Sequence, residues 1–187
     1  MVNLEKGQKI DLTKTNPTVT KYKVGLGWKA NQNASGKKYD IDVSAFVLGA
    51  DGKRLSDSHF VFYNNLKTPD EAVVHNGDNQ TGEAVGDDET LIVDFSKIVP
   101  TAEKIVFVVT IHKGLEQNQN FGQISDSYIR IVDAVSNVEL MKYDLNEDYS
   151  VETALEFGNL YKHNGEWKFN AVGTGKKGGL GEYVNQF

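Results

Sequence analysis

From Tyr39 to Leu48 the chain alternates with a period of two. Ile41, Val43, Ala45 and Val47 fall on one face, and Asp40, Asp42, Ser44 and Phe46 on the other. Only an extended strand with two different environments satisfies such a pattern. Thr18–Leu26 behaves the same way, with Gly25-Leu26-Gly27-Trp28 expected to close it, and Lys104–His112 is apolar and β-branched enough for a central strand. Lys9–Leu12, His59–Tyr63 and Leu91–Phe95 read as further short strands. Hairpins are expected for Asp126–Asp133 with Glu139–Leu145 around Ser136-Asn137, and for Thr153–His163 with Glu166–Val172 around Asn164-Gly165. Gly114–Asn120 suits one helical turn, Gly173–Gly179 a hinge, and Leu180–Phe187 a frayed terminal helix. No long amphipathic helix separates the strands, which argues against a parallel α/β sheet. About ten short strands punctuated by glycine predict an all-β sandwich of two mostly antiparallel sheets, with loops collected at two ends, in one domain spanning 1–187.

One loop stands out. Asn76–Thr90 holds Asp78, Glu83, Asp87, Asp88 and Glu89, broken by Gly77, Gly82 and Gly86, with Asn76, Asn79 and Thr81 as neutral oxygen donors. Between Thr68 and Ser96 there is no Lys or Arg, so the acids need a counter-charge from elsewhere, and a hard cation is the expected one. Calcium suits the donors, because it takes six to eight carboxylate, amide and carbonyl oxygens in flexible geometry, whereas magnesium demands a tight octahedron. An EF-hand is excluded: Asp78 and Glu89 stand at its first and twelfth positions, but Gln80 occupies the third and Glu83 the sixth, where the turn needs Gly. In a sandwich the start of the Asp40–Asp42 strand is expected at the same end as this loop.

Charge and composition narrow the function. A net charge of -6, with adjacent basic residues no more than paired, as at Lys176-Lys177, argues against a nucleic-acid partner. It also disfavours bare anionic membrane unless a bound metal reverses the local sign. The chain has no cysteine, which removes disulfides, thiolate metal sites and thiol reduction. Met1–Lys6 has no apolar core of signal-peptide length and no run is long enough to span a bilayer, so the expectation is a cytoplasmic protein without a transmembrane segment.

Gly77-Asp78-Asn79-Gln80-Thr81-Gly82 running into Gly86-Asp87-Asp88-Glu89, with Tyr39-Asp40-Ile41-Asp42 upstream, resembles the TerD-domain family of tellurium-resistance and stress proteins. Leu4-Glu5-Lys6-Gly7, Gly25-Leu26-Gly27-Trp28, Phe62-Tyr63-Asn64-Asn65, Phe121-Gly122 before Tyr128-Ile129-Arg130, and Gly178-Gly179-Leu180 extend the similarity over nearly the whole chain. The resemblance implies a bacterial β-sandwich that binds calcium, with two ions held by loops at one end. It implies ligand roles for Asp40, Asp42, Asp78, Asn79, Asp87, Asp88 and Glu89, with Asn65 as a secondary candidate. Ala84-Val85 stands where many members carry an acid, a departure expected to weaken one ion.

Other chemistry fits less well. His59, His75, His112 and His163 match no zinc spacing and are expected on the surface or in packing. No nucleophile elbow or phosphate-binding glycine loop is present. Trp28, Trp167 and the tyrosines suit a core better than a sugar cleft. The expected function is therefore a calcium-dependent binding or scaffold module of a stress system, not an enzyme, whose partners are other stress-system proteins or a membrane-associated complex. The alternatives are a calcium-supported hydrolase and a carbohydrate-binding sandwich.

Overall fold

A computed structural model describes residues 1–30, 39–77, 86–145, 147 and 149–187. Twelve strands among them form two six-stranded sheets. The first runs β1 (Val2–Leu4), β10 (Glu139–Asp144), β9 (Ile124–Asp133), β3 (Lys21–Ala30), β7 (Glu89–Asp94), β6 (Val73–His75). The second runs β2 (Lys9–Asp11), β12 (Glu166–Lys176), β11 (Ala154–His163), β8 (Lys104–Ile111), β4 (Ile41–Leu48), β5 (Phe60–Val61). Every pairing is antiparallel except that of β1 with β10. The expected all-β sandwich with two mostly antiparallel sheets is what forms.

Alternation decides the layers. Ile41, Val43, Ala45 and Val47 of β4 enter the main core, together with Tyr22, Val24 and Leu26 of β3 and Leu91 and Val93 of β7. Both tryptophans lie in this core. β8 is central in the second sheet, between β11 and β4. Asn164 and Gly165, at φ of 55° and 80°, make the tight turn of the β11–β12 hairpin, as the dipeptide predicts.

Three sequence expectations change. β3 does not stop at Gly25–Trp28 but runs through it to Ala30, pairing with β9 throughout. β12 continues through Gly173 to Lys176, so the glycine segment is strand for most of its length. The terminal helix α3 (Leu180–Gln186) is not frayed: Tyr183 is buried in a second apolar cluster with Phe46, Leu48, Val106, Val108 and Ala154 on the outer face of the second sheet. Its last carbonyls are held by Arg54, through Nη1 to Val184 O at 2.8 Å and N–H to Phe187 O at 2.9 Å, and by Lys53 Nζ to Gln186 O at 2.5 Å. Two further short helices, α1 (Leu12–Thr15) and α2 (Gly114–Gln117), complete the fold; α2 is the expected single turn.

Under α3 lies Glu156. Burial raises its pKa above the usual 4.5, against the opposing pull of the Asn159 amide, Lys104 and Lys176. With the folded value above the unfolded one, the ionised side chain costs stability above the folded pKa, and the cost disappears as pH falls below the unfolded value. Glu156→Gln keeps the acceptor for Asn159 and is expected to raise Tm at pH 7–8, with the gain vanishing below about pH 4. Thermal melts of both proteins across that range check it; a gain that persists at low pH would refute the electrostatic cause.

The pairing registers bring the ends of β3, β6, β8, β10 and β12 and the starts of β4, β7, β9 and β11 to one end of the sandwich. Most of the candidate residues gather there.

Candidate functional site

The described part of the acidic stretch is closed at its neck by its own first and last residues. Asn76 N–H donates to Thr90 O at 3.1 Å, and the Asn76 amide donates to the Thr90 hydroxyl at 3.0 Å. Asp78 and Asn79 lie outside the described residues, as do Ala84 and Val85.

The three consecutive acids of Gly86–Glu89 take three different environments. Glu89 opens β7 and shares the inward parity of Leu91 and Val93. It is 2% exposed. Its carboxylate crosses to the other sheet, accepting the Val43 N–H at 2.6 Å beyond the end of the two-residue β5, where β4 would otherwise present a bare edge. His75 Nε2 lies 3.4 Å from the same oxygen. Gly77 N–H donates to His75 Nδ1 at 3.1 Å, which leaves the ring proton on Nε2, facing Glu89. Asp88 is bound at both backbone and side chain: its N–H donates to Leu26 O at 2.8 Å, and its Oδ2 accepts the Trp28 N–H at 2.9 Å.

Asp87 goes the other way, onto the outer face of the first sheet. Arg130 grips it with two bonds, Nε to Oδ1 at 2.6 Å and Nη2 to Oδ2 at 3.0 Å. The Tyr128 hydroxyl donates to Oδ1 at 3.1 Å, and Lys23 Nζ stands 3.9 Å from Oδ2. Gly25 makes room: a Cβ there would overlap the Asp87 carboxylate, and one at Gly27 would overlap the Tyr128 ring. This is the physical reason β3 carries Gly-Leu-Gly in mid-strand. The Asp87 bond raises the Arg130 pKa against the opposing effect of burial, and burial with the Asp87 charge raises that of Tyr128, so at neutral pH the cation and the phenol keep their protons.

Asp42, on β4, is buried at 6% exposure on the face opposite Ile41 and Val43, with His112 Nδ1 3.8 Å from its Oδ2. Asp40 precedes β4, and its carbonyl accepts the His112 N–H at 2.8 Å. A cleft of about 270 Å³ opens beside Asp42, bounded by His112, Tyr63 and the Gly178–Gly179 turn into α3. Asn65 sits in the turn after β5, where its amide donates to Phe60 O at 2.7 Å and Ser58 O at 3.3 Å and so holds that turn.

The structure thus brings Asp88, Glu89 and the start of β4 together, sets Asp42 on the outer side of β4, and turns Asp87 away to Arg130. Sequence reasoning missed His75, His112, Tyr128 and Arg130. The histidines carry no spacing signal, because each meets its acid across strands, although Tyr128-Ile129-Arg130 is visible as a motif. Oxygen donors of this kind suit a hard cation. Among the described residues, however, no group of three or more His, Asp or Glu side chains is placed to hold a metal ion. Among the described residues no helix is long and apolar enough to cross a membrane.

Known proteins resemble this chain throughout its length. It is 50% identical over 186 residues to general stress protein 16U of Bacillus subtilis, covering 100% of this chain and 96% of that protein. It is 48% identical over 186 residues to the tellurium resistance protein TerD of Alcaligenes sp., with the same coverage. A crystal structure of a homologue of telluride resistance protein (TerD) from Streptomyces coelicolor superposes with a TM-score of 0.71 at 17% identity, over 89% of this chain and 95% of that one, which supports the fold. The TerD domain matches residues 1–187, and the chain belongs to the TerD domain family of tellurium-resistance and stress-response proteins.

Proposed function

We propose that this protein is a calcium-binding module of a tellurium-resistance and stress-response system, acting in the cytoplasm as a calcium-dependent binding or scaffold protein and not as an enzyme. What supports the reading is that Asp88, Glu89 and the β4 start meet at the end of the sandwich where Asn76 and Thr90 close the acidic loop, with Asp40 and Asp42 at the start of that same strand. Asp40, Asp42, Asp88 and Glu89, with Asp78 and Asn79, would hold the calcium, two ions being the family expectation. The ion would supply positive charge that offsets the mutual repulsion of these carboxylates.

The chain's own contribution is rigidity. Glu89 ties the two sheets, Asp88 ties the loop to β3, and both are held before any ion arrives. Calcium binding would then create a surface for a stress-system protein or a membrane-associated complex only when calcium is present.

Calcium added to chelator-stripped protein is expected to show saturable heat in calorimetry and to raise Tm. At a free concentration one hundred times Kd, the stabilisation is about 2.7 kcal/mol. Asp88→Asn with Glu89→Gln is expected to remove most of the binding. Absence of both heat and thermal shift in the wild type would sink the calcium reading. A calcium-dependent pull-down from lysate tests the scaffold role, and turnover in a hydrolase screen that is lost in the same double variant would replace it with an enzyme.

A further inference from the structure

We infer that Asp87, although it sits between two candidate calcium ligands, is not itself a ligand but the anchor of the site, and that Arg130 and Tyr128 are positioning residues that hold Asp88 and Glu89 in place. This rests on the calcium reading above and departs from the ligand role that the family resemblance implies for Asp87.

The start of β7 separates the acids: Asp87 precedes the strand, so the alternation that turns Glu89 inward does not extend to it. Glu89 pairs with Leu26 and points inward, whereas Asp87 lies over Gly25 on the outer face. Its carboxylate is 4% exposed and receives two guanidinium bonds, a phenol bond and a nearby ammonium. A calcium ion on Asp87 would have to displace Arg130 or sit against its positive charge.

The grip is itself buttressed. Arg130 Nη1 bonds Glu139 Oε2 on β10 at 2.8 Å, so the guanidinium is fixed between two carboxylates from different parts of the chain. The Tyr128 hydroxyl also lies 3.1 Å from Gly86 O, with Lys142 Nζ 4.7 Å from the ring centre. The backbone from Gly86 to Asp87 is therefore pinned to β9 from above, and the next residue, Asp88, is bonded to Leu26 and Trp28 of β3. Gly25 and Gly27 are the vacancies in β3 that let the clamp lie flat.

Electrostatics alone and the clamp predict opposite signs. If Arg130 acted only through its charge, removing it would leave the acidic end more negative and tighten calcium. If it positions the neighbouring ligands, removing it weakens calcium, by about tenfold to a hundredfold, as is usual for groups that orient metal ligands.

The test is calcium calorimetry on the full chain with Asp87→Asn, Arg130→Gln, the double variant, and the milder Arg130→Lys and Tyr128→Phe. Asp87→Asn and Arg130→Gln are each expected to weaken affinity with unchanged stoichiometry, and the double variant is expected to be no worse than either single one, because they remove the same contact. Arg130→Lys is expected to recover part of the loss, and Tyr128→Phe to show a smaller loss of the same sign. Loss of an ion in Asp87→Asn, or equal or tighter binding in Arg130→Gln, would overturn the inference. Hydrogen exchange at the Asp88 amide of calcium-free protein gives an independent readout, should Arg130→Gln fold poorly or the wild type bind no calcium: faster exchange in Tyr128→Phe upholds the clamp, and unchanged exchange overturns it. Absent calcium binding in the wild type would remove the calcium reading and leave this exchange to judge the clamp.

Discussion

Phe107→Ala is expected to lower the free energy of unfolding by about 3–5 kcal/mol, the usual cost of deleting a fully buried aromatic. Phe107 is 0% exposed in the middle of β8, opposite Ala45 on one side and Gly158 on the other. Its ring fills the space that these two small residues leave. Neither can expand into the cavity, and the Gly158 position is itself closed in by the Phe169 ring and the Asn170 carbonyl. With little relaxation available, the cavity persists and the cost belongs at the upper end of the range. Denaturant unfolding measures it, with the midpoint shifted and the slope unchanged. A loss below about 1 kcal/mol would mean that the two sheets are not packed around this strand.

Tyr183→Ala is expected to release α3. A seven-residue helix has no stability alone, so what holds it is the groove it fills. Leu180, Tyr183, Val184 and Phe187 recur at i, i+3, i+4 and i+7 and all pack into the second cluster. Tyr183 adds two hydrogen bonds, its hydroxyl donating to Thr174 O at 3.0 Å and accepting the Glu156 N–H at 2.9 Å. Truncating it costs about 3–5 kcal/mol, up to the point at which α3 undocks and no more can be lost. Tyr183→Phe keeps the ring but strands a backbone donor and a carbonyl, costing about 1–3 kcal/mol. Hydrogen exchange separates the outcomes: α3 amides exchange freely in Tyr183→Ala and stay protected in Tyr183→Phe. Protection of α3 in the alanine variant would show that the helix is held by its ends, through Arg54 and Lys53, and not by its apolar face.

Long alternating runs are legible in the sequence alone. Residues 39–48 and 104–112 form β4 and β8 close to the expected bounds, because a face of four or more apolar side chains has only one way to be buried. The three-residue strands β1 and β6 were not legible, since so few residues show no period and each depends on the neighbour it pairs with. The continuation of β3 through Gly25 and Gly27 ran against local propensity. Glycine weakens a strand by itself, and here it is needed because Asp87 and Tyr128 occupy the space of the missing side chains.

The candidate site divides the same way. The sequence by itself determined that the chain is an all-β sandwich of the TerD family and that an acidic loop lacking its own cations needs a counter-charge. It left open where that charge comes from. Only the tertiary structure decided that part of it is protein, with Arg130 meeting Asp87 from 43 residues away, and that Glu89 meets the Val43 N–H across 46 residues. The reason is geometric. A period of two would set Asp87 and Glu89 on one face, but the strand begins only at Glu89, and what meets each acid depends on which strands lie side by side, which no local pattern in Asp87-Asp88-Glu89 encodes.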